Sequence, residues 1–212
     1  PRATYLRSLR PEREKLKPSL TKTVLFLHRE PRDVFYRNPL VQSTRSLLNV
    51  LKEASKSGCN EFLVKLHPNQ SRLKAHLQLG VLKLSSVFTP TRVRVTQRHV
   101  SSLLNISTTY TWFSGVAIDL LCMGVPVYEL RNGHLGPDLP QESHWNALHK
   151  SQLTVSIQSV DELKASLTEE SSYTDQALNQ FDEEFPKHFF TPQEKDSVAE
   201  KISRLFRKTL ER

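Results

Sequence analysis

The stretch Lys65-Leu66-His67-Pro68 ends an apolar run in a histidine, and a histidine at such a point can do chemistry. Proline removes a backbone donor and holds the residue before it in extended geometry, so His67 leaves the run in a restricted direction. Its imidazole could donate a hydrogen bond to a phosphate or act on a leaving group. The bland alternative is a strand that stops at a proline, with His67 solvated. Thr111-Trp112-Phe113-Ser114-Gly115 is a second such place, because a helical pattern containing Asp119 follows it. Ser114 suits an N-cap, Gly115 lets a ligand approach the backbone, and the amides of a first helical turn favour an anion. A diphosphate or a sugar-nucleotide phosphate fits that description, and so does an ordinary capped helix without a ligand. Asp119 lies five residues past Ser114, a little over one turn, from where its carboxylate could reach a ribose hydroxyl or simply be solvated. Glu129, near the end of the next apolar run, is placed to contact ribose or sugar, or else is solvated.

These residues need elements to position them. Continuous apolar runs at 23–28, 61–66 and 126–130, with shorter ones at 93–96, 106–109 and 153–155, read as strands. Helical spacing of Val41, Leu47, Leu48, Leu51 and Ala54 ends at Gly58, and that of Val116, Leu120 and Leu121 ends at Gly124. Residues 70–79 also read as helix, and Val100 to Leu104 as a brief one. Capping boxes at Ser159/Glu162 and Thr191/Glu194 open two more. Strands alternating with helices through residues 22–130 predict an α/β fold, a Rossmann-like doubly wound parallel sheet with helices on both faces. In such a sheet ligands bind beyond the carboxyl ends of the strands, where His67, Ser114 and Glu129 fall. The expected organisation is a basic linker or arm at 1–21, the Rossmann-like domain at 22–190 and an amphipathic helix at 191–212.

Composition narrows the partners. The chain has 212 residues and a net charge of +8, but residues 1–110 carry 20 Lys and Arg against 6 Asp and Glu, a balance of +14. The basic half should face something anionic: nucleic acid, an acidic membrane surface or a phosphorylated small molecule. Its basic residues are scattered and aromatic stacking residues are few, which counts against nucleic acid. Cys59 and Cys122 make no disulfide framework and suit a reducing compartment. No apolar stretch is long enough to span a bilayer. In the last helix Val198, Ile202, Leu205 and Phe206 share a face flanked by Lys201, Arg204, Arg207 and Lys208. That face could pack on its own domain or attach to an anionic inner membrane surface. His134, His144, His149 and His188 lack metal-ligand spacing and no Asp-x-Asp motif occurs, so no metal cofactor is required. Trp112 and Trp145 read as packing residues. A chain that opens on Pro1 reads as a fragment of something longer.

In combination, Ser114-Gly115, Asp119 and Gly124-Val125-Pro126, with Pro126 seven residues after Asp119, resemble the donor-binding half, the C-terminal domain, of GT-B glycosyltransferases. Lys65-Leu66-His67-Pro68 followed by a Ser-containing turn looks more particularly like bacterial capsule and surface-polysaccharide transferases. Those include capsule-type Kdo transferases, sialyl- and polysialyltransferases and teichoic-acid glycerophosphotransferases. The resemblance covers about residues 22–131. It implies a nucleotide-sugar glycosyltransferase, with a CMP-sugar such as CMP-Kdo or CMP-sialic acid as donor and a glycan or glycolipid as acceptor. By that likeness His67, Pro68, Ser114 and Asp119 bind the cytidine nucleotide, with Lys65, Gly115 and Glu129 beside them. His67 would assist the departing phosphate directly, and Arg29 or Arg32 would neutralise its charge. The teichoic-acid enzymes' Asp-Tyr-Ser-Ser is Trp112-Phe113-Ser114-Gly115 here, which argues against glycerol phosphate as the donated group. After the first strand, where capsule Kdo transferases often carry Gln and Asp, only Asp33 corresponds. The acceptor-binding half, and with it the general base, would lie outside this chain. The implied location is cytoplasmic, or peripheral on the inner face of a bacterial plasma membrane, in capsule or lipopolysaccharide synthesis. The rival readings are a nucleic-acid-binding basic module and a UDP-sugar epimerase of GT-B shape.

Overall fold

Thr23–His28 is buried along its whole length, as a strand covered on both faces must be, and forms the centre of the sheet as β1. The computed structural model describes residues 2–11, 22–28, 39–67, 72–97, 99–112, 114–131, 135–136, 151–168 and 172–189. Along the chain these form α1 (Arg2–Ser8), β1, α2 (Pro39–Lys56), β2 (Glu61–Leu66), α3 (Arg72–Ser86), β3 (Arg92–Thr96) and a 3₁₀ turn (Val100–Ser102). β4 (Thr108–Thr111), α4 (Val116–Cys122), β5 (Val127–Leu130), β6 (Val155–Ile157), α5 (Val160–Thr168) and α6 (Ser172–Phe189) follow. The strands pair in the order β3-β2-β1-β4-β5-β6, every pair parallel. This is the Rossmann order, and the chain reverses its direction of winding between β1 and β4.

Alternation along each strand sends side chains to two cores. Val24, Phe26, Phe62, Val64, Tyr110 and Tyr128 meet α2, α3 and α5 on one face. Leu25, Leu27, Leu63 and Val127 meet α1, α4 and α6 on the other. The helices terminate where glycine permits a left-handed backbone, at Gly58 (φ 77°) after α2 and Gly124 (φ 75°) after α4. The capping box at α5 forms with one bond displaced by a residue: the Glu162 amide donates to Ser159 Oγ at 3.1 Å, and the Glu162 carboxylate accepts from the Gln158 amide, just before the cap, at 2.6 Å.

Three differences from the sequence reading matter for the site. Within the expected linker, residues 2–8 form a helix, because Leu6 is buried against α4 and α6, a burial worth roughly 1.5–3 kcal/mol. Arg10, just beyond it, donates to the carbonyls of Leu121 and Cys122, both at 2.8 Å, and closes the end of α4. α6, which the sequence reading does not anticipate, runs for 18 residues and buries Phe181 and Phe185 in the second core. β4 and β6 each lie two residues later than expected, a shift that preserves which side chains face which core. The amphipathic helix expected at 191–212 lies outside the described residues. No helix among the described residues is long and apolar enough to cross a membrane.

Candidate functional site

In a sheet of this order the crevice that takes ligands lies beyond the carboxyl ends of the strands where the winding reverses, here β1 and β4, and the strand ends there are in register. The His67 amide donates to the His28 carbonyl at 3.0 Å, so the chain leaving β2 stays paired to the last residue of β1. On the other side of β1, the Trp112 indole meets the His28 ring edge to face, with centroids 5.4 Å apart. His67 and Ser114 therefore lie at the same edge of the sheet with one strand between them, about 10 Å at the ordinary strand spacing. Both are half-buried.

Trp112 is itself fully buried and packs as the sequence suggests. Its Nε1 donates to the Leu135 carbonyl at 3.1 Å and to Ser46 Oγ at 3.2 Å, and the Ser46 hydroxyl also donates to Leu135. Gly136 follows, pressed so closely on the Leu130 carbonyl that a Cβ there would overlap it. The indole thus ties the chain beyond β5 to the mouth of the crevice.

Ser114 does not cap α4 in the expected way. Gly115 occupies the cap position in a right-handed helical conformation (φ −61°, ψ −21°). Ser114 and Gly115 contribute their carbonyls, which accept from Ala117 at 3.0 Å and Ile118 at 3.3 Å. The Ser114 hydroxyl is left with no hydrogen-bond partner among the described residues, so it can serve a ligand. Gly115 is exposed, with no atom within 4 Å of a Cβ added there, so local packing does not demand a glycine. Asp119 is half-buried on α4, and its charge helps burial push the Cys122 thiol up to about 11, against Arg7 and Arg10.

One transverse row of side chains lies at this rim. The register aligns Thr96, Lys65, Leu27, Thr111, Glu129 and Ser156 across all six strands, on the face that carries α4. Only Leu27 in that row is apolar, whereas a sheet buried on both faces ordinarily shows near-continuous aliphatic residues. Partial burial lowers the pKa of the Lys65 ammonium. Glu129 is fully buried, which corrects the solvated alternative in the sequence reading. Burial raises its carboxyl pKa, and the Arg131 guanidinium, with Nη2 2.6 Å from Oε2, offsets part of that rise, as does Thr154.

Arg29 and Pro68, two of the expected site residues, lie outside the described residues. Those the structure brings to one rim are Lys65, His67, Ser114, Gly115 and Glu129, with Asp119 one turn along α4. Arg131 is the addition that sequence reasoning missed. Its signal was available: an acid in the buried run Val127-Tyr128-Glu129-Leu130, with a cation two residues on, projecting to the same side of the strand. A polar hollow of about 630 Å³ opens elsewhere, between β6 and α6, with Thr154, Ser156, Asn179 and Gln180 in its walls, and none of the expected site residues lines it. Among the described residues, no cluster of three or more His, Cys, Asp or Glu could hold a metal ion.

No protein-family model matches the chain, and no curated protein matches it. Solved structures do. The wall teichoic acid polymerase TagF aligns with 98% of this chain and 48% of its own at 17% identity, with a TM-score of 0.52. A UDP-forming α,α-trehalose-phosphate synthase from Burkholderia xenovorans aligns with 97% of this chain and 49% of its own at 10% identity, with a TM-score of 0.52. The chain spans about half the length of these solved structures. At such identities the likeness is one of fold: a Rossmann-like α/β domain of the kind found in GT-B glycosyltransferases.

Proposed function

We propose that this chain is the donor-binding half of a nucleotide-sugar glycosyltransferase, with a CMP-sugar such as CMP-Kdo or CMP-sialic acid as donor. The observation that carries the proposal is the placement of His67 and the Ser114-Gly115 turn at one carboxyl edge, on strands that flank β1 at the reversal of winding. A nucleotide phosphate seated there would accept from the His67 imidazole and the Ser114 hydroxyl, with the Gly115 backbone close by. Asp119 would reach the ribose hydroxyls, and Glu129 would act at the rim. Lys65 would supply positive charge, joined by Arg29 from beyond β1.

In the transfer step the bond from the sugar's anomeric carbon to the phosphate oxygen breaks, its electron pair staying on that oxygen, and the acceptor's hydroxyl oxygen forms the new bond to that carbon. Donors already fixed at the rim stabilise the charge that develops. The acceptor, a glycan or glycolipid, would be bound and deprotonated by an acceptor-binding half outside this chain. This reading requires no divalent ion. The protein would act in the cytoplasm or peripherally at the inner face of a bacterial plasma membrane, in capsule or lipopolysaccharide synthesis.

The trehalose-phosphate synthase is UDP-forming, which makes uridine nucleotides the competing class. Calorimetric titration of the chain with CMP and with UMP tests both parts. CMP binding tighter than UMP binding is expected. A preference for UMP would overturn the choice of base, and the absence of heat from both would overturn the donor-binding function.

A further inference from the structure

We infer that Arg131, held in place by Glu129, is an anion-binding residue of this rim and takes an esterified phosphate. The inference rests on the donor-site reading for its choice of nucleotide, but its observations are independent of that reading.

The fold buries a carboxylate completely at Glu129, in the third residue of a strand whose other three side chains are Val127, Tyr128 and Leu130. A buried ion pair is a weak device for stability, since well-packed apolar residues of the same size are often as good or better. The pair is also incompletely satisfied. Arg131 Nε is buried without a hydrogen-bond partner among the described residues, as is the Thr109 hydroxyl on the same face as Glu129, while the Thr154 side chain faces the Glu129 carboxylate. A buried guanidinium nitrogen without such a partner requires an explanation, and a guanidinium fixed by a carboxylate so that it can receive an anion supplies one.

The position agrees. Arg131 is the first residue beyond β5, its amide donating to the Ile157 carbonyl at 2.8 Å, so its backbone is fixed at the carboxyl rim. Its side chain is 11% exposed, so it is not sealed from solvent. Along the rim row Glu129 stands on one side of Leu27 and Thr111, and Lys65 on the other. The crevice between β1 and β4 therefore has a cation on each flank. Glu129 keeps one flank from being repulsive when empty, and it fixes the planar fork that a phosphate can accept from in pairs. Glu129 is thus a positioning residue, and Arg131 the binding one.

Titration of the 212-residue chain with CMP, cytidine and pyrophosphate, for wild type, Arg131→Gln, Arg131→Lys and Glu129→Gln, tests this. Arg131→Gln should weaken CMP and pyrophosphate about ten- to a hundredfold, the loss of charge-assisted hydrogen bonds, and leave cytidine unchanged. Arg131→Lys keeps the charge and should lose less; it also decides the matter if the glutamine variant does not fold. Glu129→Gln should lower the ratio of CMP to cytidine affinity severalfold, whereas a purely structural role would weaken both equally. Equal loss for CMP and cytidine, or no loss for pyrophosphate in either Arg131 variant, overturns the inference. Arg131-dependent pyrophosphate binding by a chain that binds neither CMP nor UMP would keep the inference and sink the nucleotide-sugar function.

Discussion

Truncating Arg10 should cost this domain more than any surface ion pair would, because the residue closes a helix rather than decorating one. Its Nε and Nη2 each donate to a carbonyl at the end of α4, at 2.8 Å to Cys122 and 2.8 Å to Leu121. Hydrogen bonds from a charged donor contribute roughly 1.5–3 kcal/mol each when buried. Arg10 keeps 24% of its side chain exposed, so water would reclaim part of that in the variant. A cation at a helix C-terminus adds about 0.3–1 kcal/mol. The pairing with Asp182, at 2.8 and 3.0 Å, involves a carboxylate 42% exposed and is worth at most about 1 kcal/mol. With each carbonyl bond discounted to about 1 kcal/mol for that exposure, these sum to about 2–4 kcal/mol for Arg10→Met, against less than about 1 kcal/mol for Asp182→Asn. In a chain of this length the former lowers Tm by roughly 5–15 °C. Urea denaturation of both variants, read by circular dichroism, measures the difference. If the two variants lose the same stability, the energy lies in the ion pair and the helix-closing role is wrong.

Other consequences are separable. Gly115→Ala should change stability by less than about 1 kcal/mol, since the backbone is already helical and an added Cβ meets nothing within 4 Å. CMP affinity should nevertheless fall about tenfold if the phosphate touches that backbone; unchanged affinity would place the ligand elsewhere. The Glu129 carboxyl has a folded pKa above its ordinary 4.5, so the native state keeps a proton that the unfolded chain has already released. Its contribution to stability is complete below about pH 4.5 and is lost as pH rises through the folded pKa, a slope that Glu129→Gln should remove from a series of melts. Cys59 and Cys122 are buried thiols with pKa raised by burial, so a thiol reagent at mildly alkaline pH should label neither until denaturant is added. Rapid labelling of the native chain would contradict that burial.

Why some of this was legible in the sequence follows from periodicity. β1, β2 and β5 are near-continuous apolar runs, which only a doubly covered parallel sheet accommodates, and the glycines after α2 and α4 mark where a left-handed residue must stand. α1 was not legible because Arg2 and Arg7 interrupt its apolar pattern and Arg10 lies just beyond it. The role of Arg10 depends on carbonyls and a carboxylate contributed more than a hundred residues later. α6 escaped for a similar reason: its buried Ala177, Phe181 and Phe185 are diluted by charge on the opposite side. Apolar periodicity also misleads. Leu73, Leu77 and Leu84 on α3 are exposed, while the face turned inward carries Ala75, Gln78, Leu79 and Leu82.

The candidate site shows the sharper limit. Strand ends could be read from sequence, and with them the idea that His67 and Ser114 share an edge; which strands lie side by side could not, because register between parallel strands is set by crossovers and packing rather than by either strand alone. The row Thr96-Lys65-Leu27-Thr111-Glu129-Ser156 exists only once six segments are aligned. Each polar member, taken singly, passes for a solvated or edge residue. Aligned, they put five polar side chains at one level of a sheet that needs none for stability, with a cation beyond each side of the crevice. A stability-driven fold would fill that level with valine and isoleucine. Replacing Glu129 and Arg131 together by Leu and Met should accordingly leave the domain at least as stable as it is now, while binding of a phosphate ester is lost. A double variant that melts well below wild type would mean that the pair holds the sheet together, and the rim row would then be architecture rather than a binding surface.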